Sequence, residues 1–252
     1  KLFISITIFL IAKISHLIFF VANLQHRMSK IMTEIKNKYE KINQLIKKCH
    51  NESFYSSKPL PKLIAVSKQQ PQEKILEALR FGQRIYGENK LQDALKRWSN
   101  FKDIYKDIEL HYIGHLQTNK VKKALNFFDV IHTLDRESLA LEISKHLTFK
   151  SKTKSFMIQI NTGNEKNKSG ISLSDFEEFF KFTNSLKIPV KGLMCLPPIN
   201  EEPSIHFCIL RELANKFKLN ALSMGMSSDF KTAINFGSTH LRIGSSFFGK
   251  RN

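Results

Sequence analysis

At 252 residues and 42% hydrophobic content, the chain carries enough apolar material for one large folded domain and falls outside the disordered class. Its formal charge of +18 is spread through Lys-rich segments such as 36–48, with no concentrated basic patch interleaved with aromatics and no known module, which argues against nucleic-acid binding. Cys49, Cys195 and Cys208 are odd in number and lack CxxC spacing, so neither a disulfide framework nor a zinc site is indicated, and a reducing, cytoplasmic compartment fits.

Residues 1–27 differ in character from the rest of the chain. Leu2 to Leu24 is nearly continuous apolar sequence, long enough for a bilayer, but Lys13 at its middle would cost about 2.5–3.5 kcal/mol on insertion scales. His16 weakens the segment further, and no small-residue cleavage site of the A-x-A type comes after it. After Met28, the residues Ile31, Ile35, Ile42, Leu45, Ile46 and Cys49 recur at helical spacing, as the first helix of a soluble domain would. The chain therefore divides into an apolar extension, 1–27, outside the fold, and a folded domain, 28–252. The extension reads as an upstream translated stretch or as a membrane anchor, and only the second would bring the chain to a membrane.

Strand-like runs then recur near 63–67, 84–86, 110–113, 129–133, 155–161, 189–195, 220–223 and 240–243. Between them, 71–81, 136–147, 173–186 and 203–217 carry apolar stripes with charged opposite faces. Repeated βα units imply a parallel sheet, and eight strands imply a single (β/α)8 TIM-type barrel preceded by an N-terminal helix. An open doubly wound sheet would be favoured by a G-x-G-x-x-G fingerprint after the first strand, and none is present there.

The first run ends in Lys68. Strand alternation places Ile64, Val66 and Lys68 on one face, so in a barrel Lys68 points inward at the carboxyl end, where such folds keep their chemistry. A desolvated lysine can attack an aldehyde as the neutral amine. The alternative is an ordinary surface lysine at a strand end. The loops after the seventh and eighth strands, Leu222 to Asp229 and His240 to Ser246, contain Gly225, Ser227, Gly244 and Ser245, as a barrel phosphate site would. A turn with a helix cap is the plainer reading of either loop alone. Arg242 shares a face with His240 and Gly244 and needs an interior partner, either an acidic side chain or a ligand acceptor. Gln159 and Asn161 add polar groups to the same interior. An amine, phosphate loops and an inward arginine converge on pyridoxal 5′-phosphate, which offers an aldehyde, a phosphate and a ring nitrogen.

Ala65-Val66-Ser67-Lys68, Tyr86-Gly87-Glu88-Asn89, His111 to Lys120, Lys168-Ser169-Gly170, Gly192-Leu193-Met194 and Arg242-Ile243-Gly244-Ser245 together resemble the pyridoxal phosphate homeostasis proteins, from about Met28 to Arg251. The resemblance implies a fold like the N-terminal domain of alanine racemase. It also implies Lys68 as Schiff-base lysine, Arg242 facing the pyridine nitrogen, Ser227, Gly244 and Ser245 at the phosphate, and Asn89 near the cofactor. Gln69 and Lys90 depart from the family's usual Thr and aromatic residue at the pocket rim, whereas Ser245 keeps the hydroxyl of a common Thr and Asp93 the acid of a usual Glu.

Racemisation needs acid-base groups on both faces of the substrate. The resembled racemases draw the second, a tyrosine, from a β domain that this sequence does not continue into, and an arginine at the ring nitrogen weakens the electron sink. The expectation is therefore a monomer that holds the cofactor without efficient turnover and supplies it to enzymes requiring it; a weak racemase-type enzyme is the alternative. His111 and His115 are not expected to form a metal pair, because four residues along a strand do not share a helical face. Glu88 and Asp93 read as first-turn acids more simply than as an acid-base pair.

Overall fold

Runs such as Leu63-Ile64-Ala65-Val66 and Val130-Ile131-His132-Thr133-Leu134 are rich in β-branched residues and offer water no polar face, as strands covered on both sides require. In the computed structural model, which describes residues 2–249 and the side chains from 16 onward apart from Ile18, these runs form a closed parallel barrel. Its strands are β1 (Lys62–Val66), β2 (Ile85–Glu88), β3 (Glu109–Tyr112), β4 (Val130–Leu134), β5 (Ser155–Ile160), β6 (Val190–Cys195), β7 (Ala221–Ser223) and β8 (His240–Ile243). The helices are α1 (Leu2–Asn51), α2 (Gln72–Arg80), α3 (Leu91–Ile104), α4 (Val121–Leu125), α5 (Glu137–His146), α6 (Phe176–Ser185), α7 (Pro203–Lys216), α8 (Phe230–Asn235) and α9 (Ser245–Phe248). Closure rests on β8 pairing with β1, in register from Lys62 with His240 to Ala65 with Ile243, which rules out the open sheet.

Period-two alternation splits the strand residues into two populations. Leu63, Ala65, Tyr86, Leu110, Ile131, Phe156 and Leu241 join the helices in one continuous core, with Trp98, Phe128, Phe176 and Phe207 among its largest fully buried side chains. Phe176 and Phe179 of α6 are buried and Phe180 and Phe182 pack beside them, so this aromatic cluster is one helix face against the barrel. The complementary positions form only a small apolar cluster, Val130, Met157 and Met194. Around it lie Glu109, His111, His132, Ser223 and Arg242, bonded to one another across strands. Burying such groups is costly unless every one is paired, so this polar interior sets the barrel apart from one filled by branched aliphatics.

α1 runs unbroken through position 28. Its Ile35, Ile42 and Ile46 are buried where α1 packs against α2, α8 and α9, matching the helical stripe read from the sequence. Leu17, Phe19, Phe20, Val21 and Leu24 are exposed. Among the described residues no helix is long and apolar enough to cross a membrane, and the stretch around Lys13 on which the anchor reading turns lies outside the described side chains.

Candidate functional site

At the carboxyl end of β1 the strand stops at Val66, and Lys68 sits half-buried in the turn after it rather than in the strand itself. That turn is pinned. The Ser67 amide donates to the Gly87 carbonyl at 3.1 Å, the Gln70 amide to the Ser67 carbonyl at 3.1 Å, and the Ser67 hydroxyl to Glu88 Oε1 at 2.7 Å. Gln69 takes a left-handed conformation, φ 59°, beside Lys68. The same Glu88 oxygen accepts from Trp98 Nε1 at 3.0 Å and Arg97 Nη1 at 2.7 Å, both on α3, with its side chain 1% exposed. Glu88 therefore clamps the Lys68 turn to the helix after β2. Asn89, half-buried, lies just beyond and lines a cavity of about 570 Å³ with Lys90, Tyr112, Gly114 and His115.

The β7 and β8 loops meet each other. The Arg242 amide donates to the Gly225 carbonyl at 3.0 Å, and the Ser246 amide donates to Ser227 Oγ at 3.2 Å. Asp229 Oδ1 accepts from the Met226 amide at 2.6 Å, closing the turn into α8. Gly225 has φ +95°, and a Cβ there would lie 2.6 Å from Ala233 Cβ. Turn geometry and packing thus account for this glycine. Gly225→Ala should lose about 1–3 kcal/mol of stability from backbone strain and overpacking together; a urea midpoint equal to that of the unsubstituted protein would contradict it. Gly244 differs, because a Cβ there would meet only Val66, at an ordinary 3.5 Å. Protein packing leaves room at Gly244, next to the end of β1, while Ser245 is exposed.

Arg242 lies inside the barrel, 4% exposed. Its Nη1 donates to Ser223 Oγ at 2.6 Å and its Nη2 to the Cys195 carbonyl at 2.8 Å. Both acceptors are neutral, and among the described residues no carboxylate forms an ion pair with it. Burial lowers its pKa and pushes the Cys195 thiol up to about 12. Gln159 and Asn161 are engaged elsewhere. Gln159 Nε2 donates to the Ser169 carbonyl at 2.9 Å, and Asn161 bonds both the amide and the carbonyl of Glu165, so the two hold the loop containing Lys168-Ser169-Gly170. His111 bonds Glu109 and His132, whereas His115 lies 3.3 Å from Asp135, so the two histidines have separate partners.

A family model described as the alanine racemase N-terminal domain matches residues 50–252. The pyridoxal phosphate homeostasis protein of Aquifex aeolicus is 41% identical over 200 residues, 75% of this chain and 87% of that protein. Its Escherichia coli counterpart is 35% identical over 200 residues, 75% of this chain and 86% of that protein. The chain belongs to the alanine racemase N-terminal domain family and, within it, to the pyridoxal phosphate homeostasis proteins. PipY of Synechococcus elongatus, solved with pyridoxal phosphate bound, is 30% identical, covers 81% of this chain and 100% of its own, and has a TM-score of 0.69.

In this member of the family, the fold collects the residues singled out in the sequence on the barrel's carboxyl-end face. Lys68 comes after β1, Asn89 after β2, Ser227 after β7, and Arg242, Gly244 and Ser245 lie on or just after β8. Glu88 and the interior histidines carry no sequence signal of a ligand site. Strand alternation, which puts His240 on the inward face with Arg242, could have placed His111 and His132 inside as well. Burial holds His132 well below the usual histidine range, and the Arg242 guanidinium adds to the effect. Burial lowers His240 to about 3, and Glu109 falls to about 2, chiefly through its hydrogen bond from His111. Between pH 6.5 and 3 the unfolded chain protonates His240 and the folded chain does not, and between 4.5 and 2 the same holds for Glu109. The unfolded state binds more protons in both windows, so stability rises with pH there and is lost as pH falls. Thermal midpoints at about pH 7, 5 and 4 should decrease in that order, and a flat profile would contradict these burials.

Proposed function

We propose that this chain binds pyridoxal 5′-phosphate and serves its homeostasis without efficient turnover, acting in the cytoplasm as a monomer and supplying enzymes that require the cofactor. The observation that carries the reading is the seating of Gly244 against Val66, which sets the β8 loop beside the strand leading into Lys68. Family membership and the cofactor in PipY's structure support it.

In this assignment Lys68 Nζ would hold the aldehyde carbon, with the aldehyde oxygen leaving as water, Ser227 and Ser245 would offer hydroxyls and Gly244 a sterically open backbone to the phosphate, and Asn89 would lie by the ring. The residues fit the group. Room at Gly244 is unused by protein packing, and Arg242 is a buried cation with neutral acceptors, leaving N–H groups for a ring nitrogen. When bound, the cofactor supplies a reactive aldehyde and an electron-withdrawing ring. Arg242 can donate N–H groups but cannot accept a hydrogen bond, so beside the ring nitrogen it would favour the unprotonated nitrogen and limit that withdrawal. Titration of the purified protein with pyridoxal phosphate should develop a new absorbance band. Racemisation or transamination at about 1 per second or faster would place the protein among enzymes and overturn the homeostasis reading.

A further inference from the structure

One chain of hydrogen bonds runs from the mouth of the barrel to its base. Arg242 Nη1 on β8 donates to Ser223 Oγ at the end of β7. A guanidinium accepts nothing, and among the described residues the other partner of the buried Ser223 hydroxyl is His132 Nδ1 on β4, at 2.8 Å, so the hydroxyl proton is donated there. With Nδ1 accepting, neutral His132 carries its proton on Nε2 and donates to His111 Nδ1 on β3 at 2.7 Å. His111 then keeps its proton on Nε2 and donates to Glu109 Oε1 at 2.8 Å. Glu109 also accepts from Lys62 Nζ at 3.1 Å, at the first residue of β1.

The two ends force the direction, because one can only donate and the ionised other can only accept. A doubly protonated His111 would reverse His132, and the fully buried Ser223 hydroxyl would then accept from both His132 and Arg242 with no acceptor among the described residues for its own proton.

We infer that Ser223, His132, His111 and Glu109 form a one-way relay that positions the Arg242 guanidinium toward the cofactor's ring nitrogen. Each donor strengthens the next, so Glu109 acts on Arg242 as a remote counter-charge without touching it. Ser223 Oγ becomes a better acceptor, one N–H of the guanidinium is fixed on it, and the remaining N–H groups are oriented. The four are positioning residues, and their role rests on the pyridoxal phosphate reading.

The relay is read without any ligand by long-range ¹H–¹⁵N correlation of ¹⁵N-histidine-labelled protein at neutral pH. His111 and His132 should both appear as neutral Nε2–H tautomers; a charged ring or an Nδ1–H tautomer at either position overturns the relay. Its role is read with pyridoxal phosphate added. Ser223→Ala should displace the absorption maximum of the bound cofactor and raise its Kd about tenfold. Glu109→Gln, which keeps the shape of the far end and is the safer variant for folding, should move the band in the same direction with a smaller loss of affinity. A merely structural role would lower the thermal midpoint and leave the band in place, and that result in both variants overturns the inference. Absence of any band in the unsubstituted protein overturns the cofactor reading and the role built on it, while the tautomers still report on the relay.

Discussion

Glu88→Ala should destabilise the fold by about 3–5 kcal/mol, because it leaves two buried donors and a mostly covered guanidinium facing a void. One oxygen of this carboxylate collects the Ser67 hydroxyl, the Trp98 indole N–H and the Arg97 guanidinium, and the side chain is 1% exposed. Removing it strands a charged partner that is itself mostly covered and opens a cavity between β2 and α3. Glu88→Gln keeps an acceptor for these donors but places an amide where Oε2 has no hydrogen-bond partner, so its cost should be smaller, about 1–3 kcal/mol. Urea unfolding separates the two. A loss below about 1 kcal/mol for the alanine variant would mean that Glu88 is not a clamp on the Lys68 turn. The effect also reaches the site, since Ser67 precedes Lys68 and is held to β2 through this carboxylate. Cofactor uptake by Glu88→Gln should therefore weaken even where the protein remains folded.

Lys68→Ala carries the largest expected effect on function. Without the amine the aldehyde has no covalent partner at the site, and only the phosphate loops, Arg242 and Asn89 remain to hold the cofactor. The absorbance band should vanish, and Kd should rise about 100-fold, equivalent to about 2.8 kcal/mol. Circular dichroism should be unchanged, because a half-buried turn lysine contributes little to the core. An unchanged band and affinity would move the covalent attachment to another lysine.

The barrel is legible in the sequence because parallel strands buried on both faces are written as short β-branched runs, while the helices between them carry one apolar stripe each. Strand limits agree to within about two residues, the ordinary uncertainty of an element's end. The main difference of consequence is that Lys68 stands past the end of β1, where Ser67 turns away to reach Glu88. The inward placement of Arg242 follows from alternation alone. Its partners do not, since Ser223 and Cys195 come from two other strands that only closure of the barrel brings alongside.

Glu88 illustrates the same limit. In sequence it is an acid before a helix, and its meaning depends on Ser67 after β1 and on Arg97 and Trp98 further along α3. Asn161 goes the other way. Its inward parity with Gln159 promises a polar group for the interior, but a short asparagine at a strand end bonds its own loop, and both its side-chain polar atoms are spent on Glu165. The histidine interior is the least legible feature. A lone histidine in a strand is unremarkable until closure of the sheet brings His111 against His132 and alternation places both inside.

The most direct test of Lys68 as the cofactor's covalent tether is borohydride reduction of the full chain saturated with pyridoxal phosphate, with peptide mass mapping of the product. A phosphopyridoxyl group on Lys68 should be the dominant adduct, absent from Lys68→Ala. No adduct, or one distributed over the many surface lysines with Lys68 unmodified, would contradict that assignment.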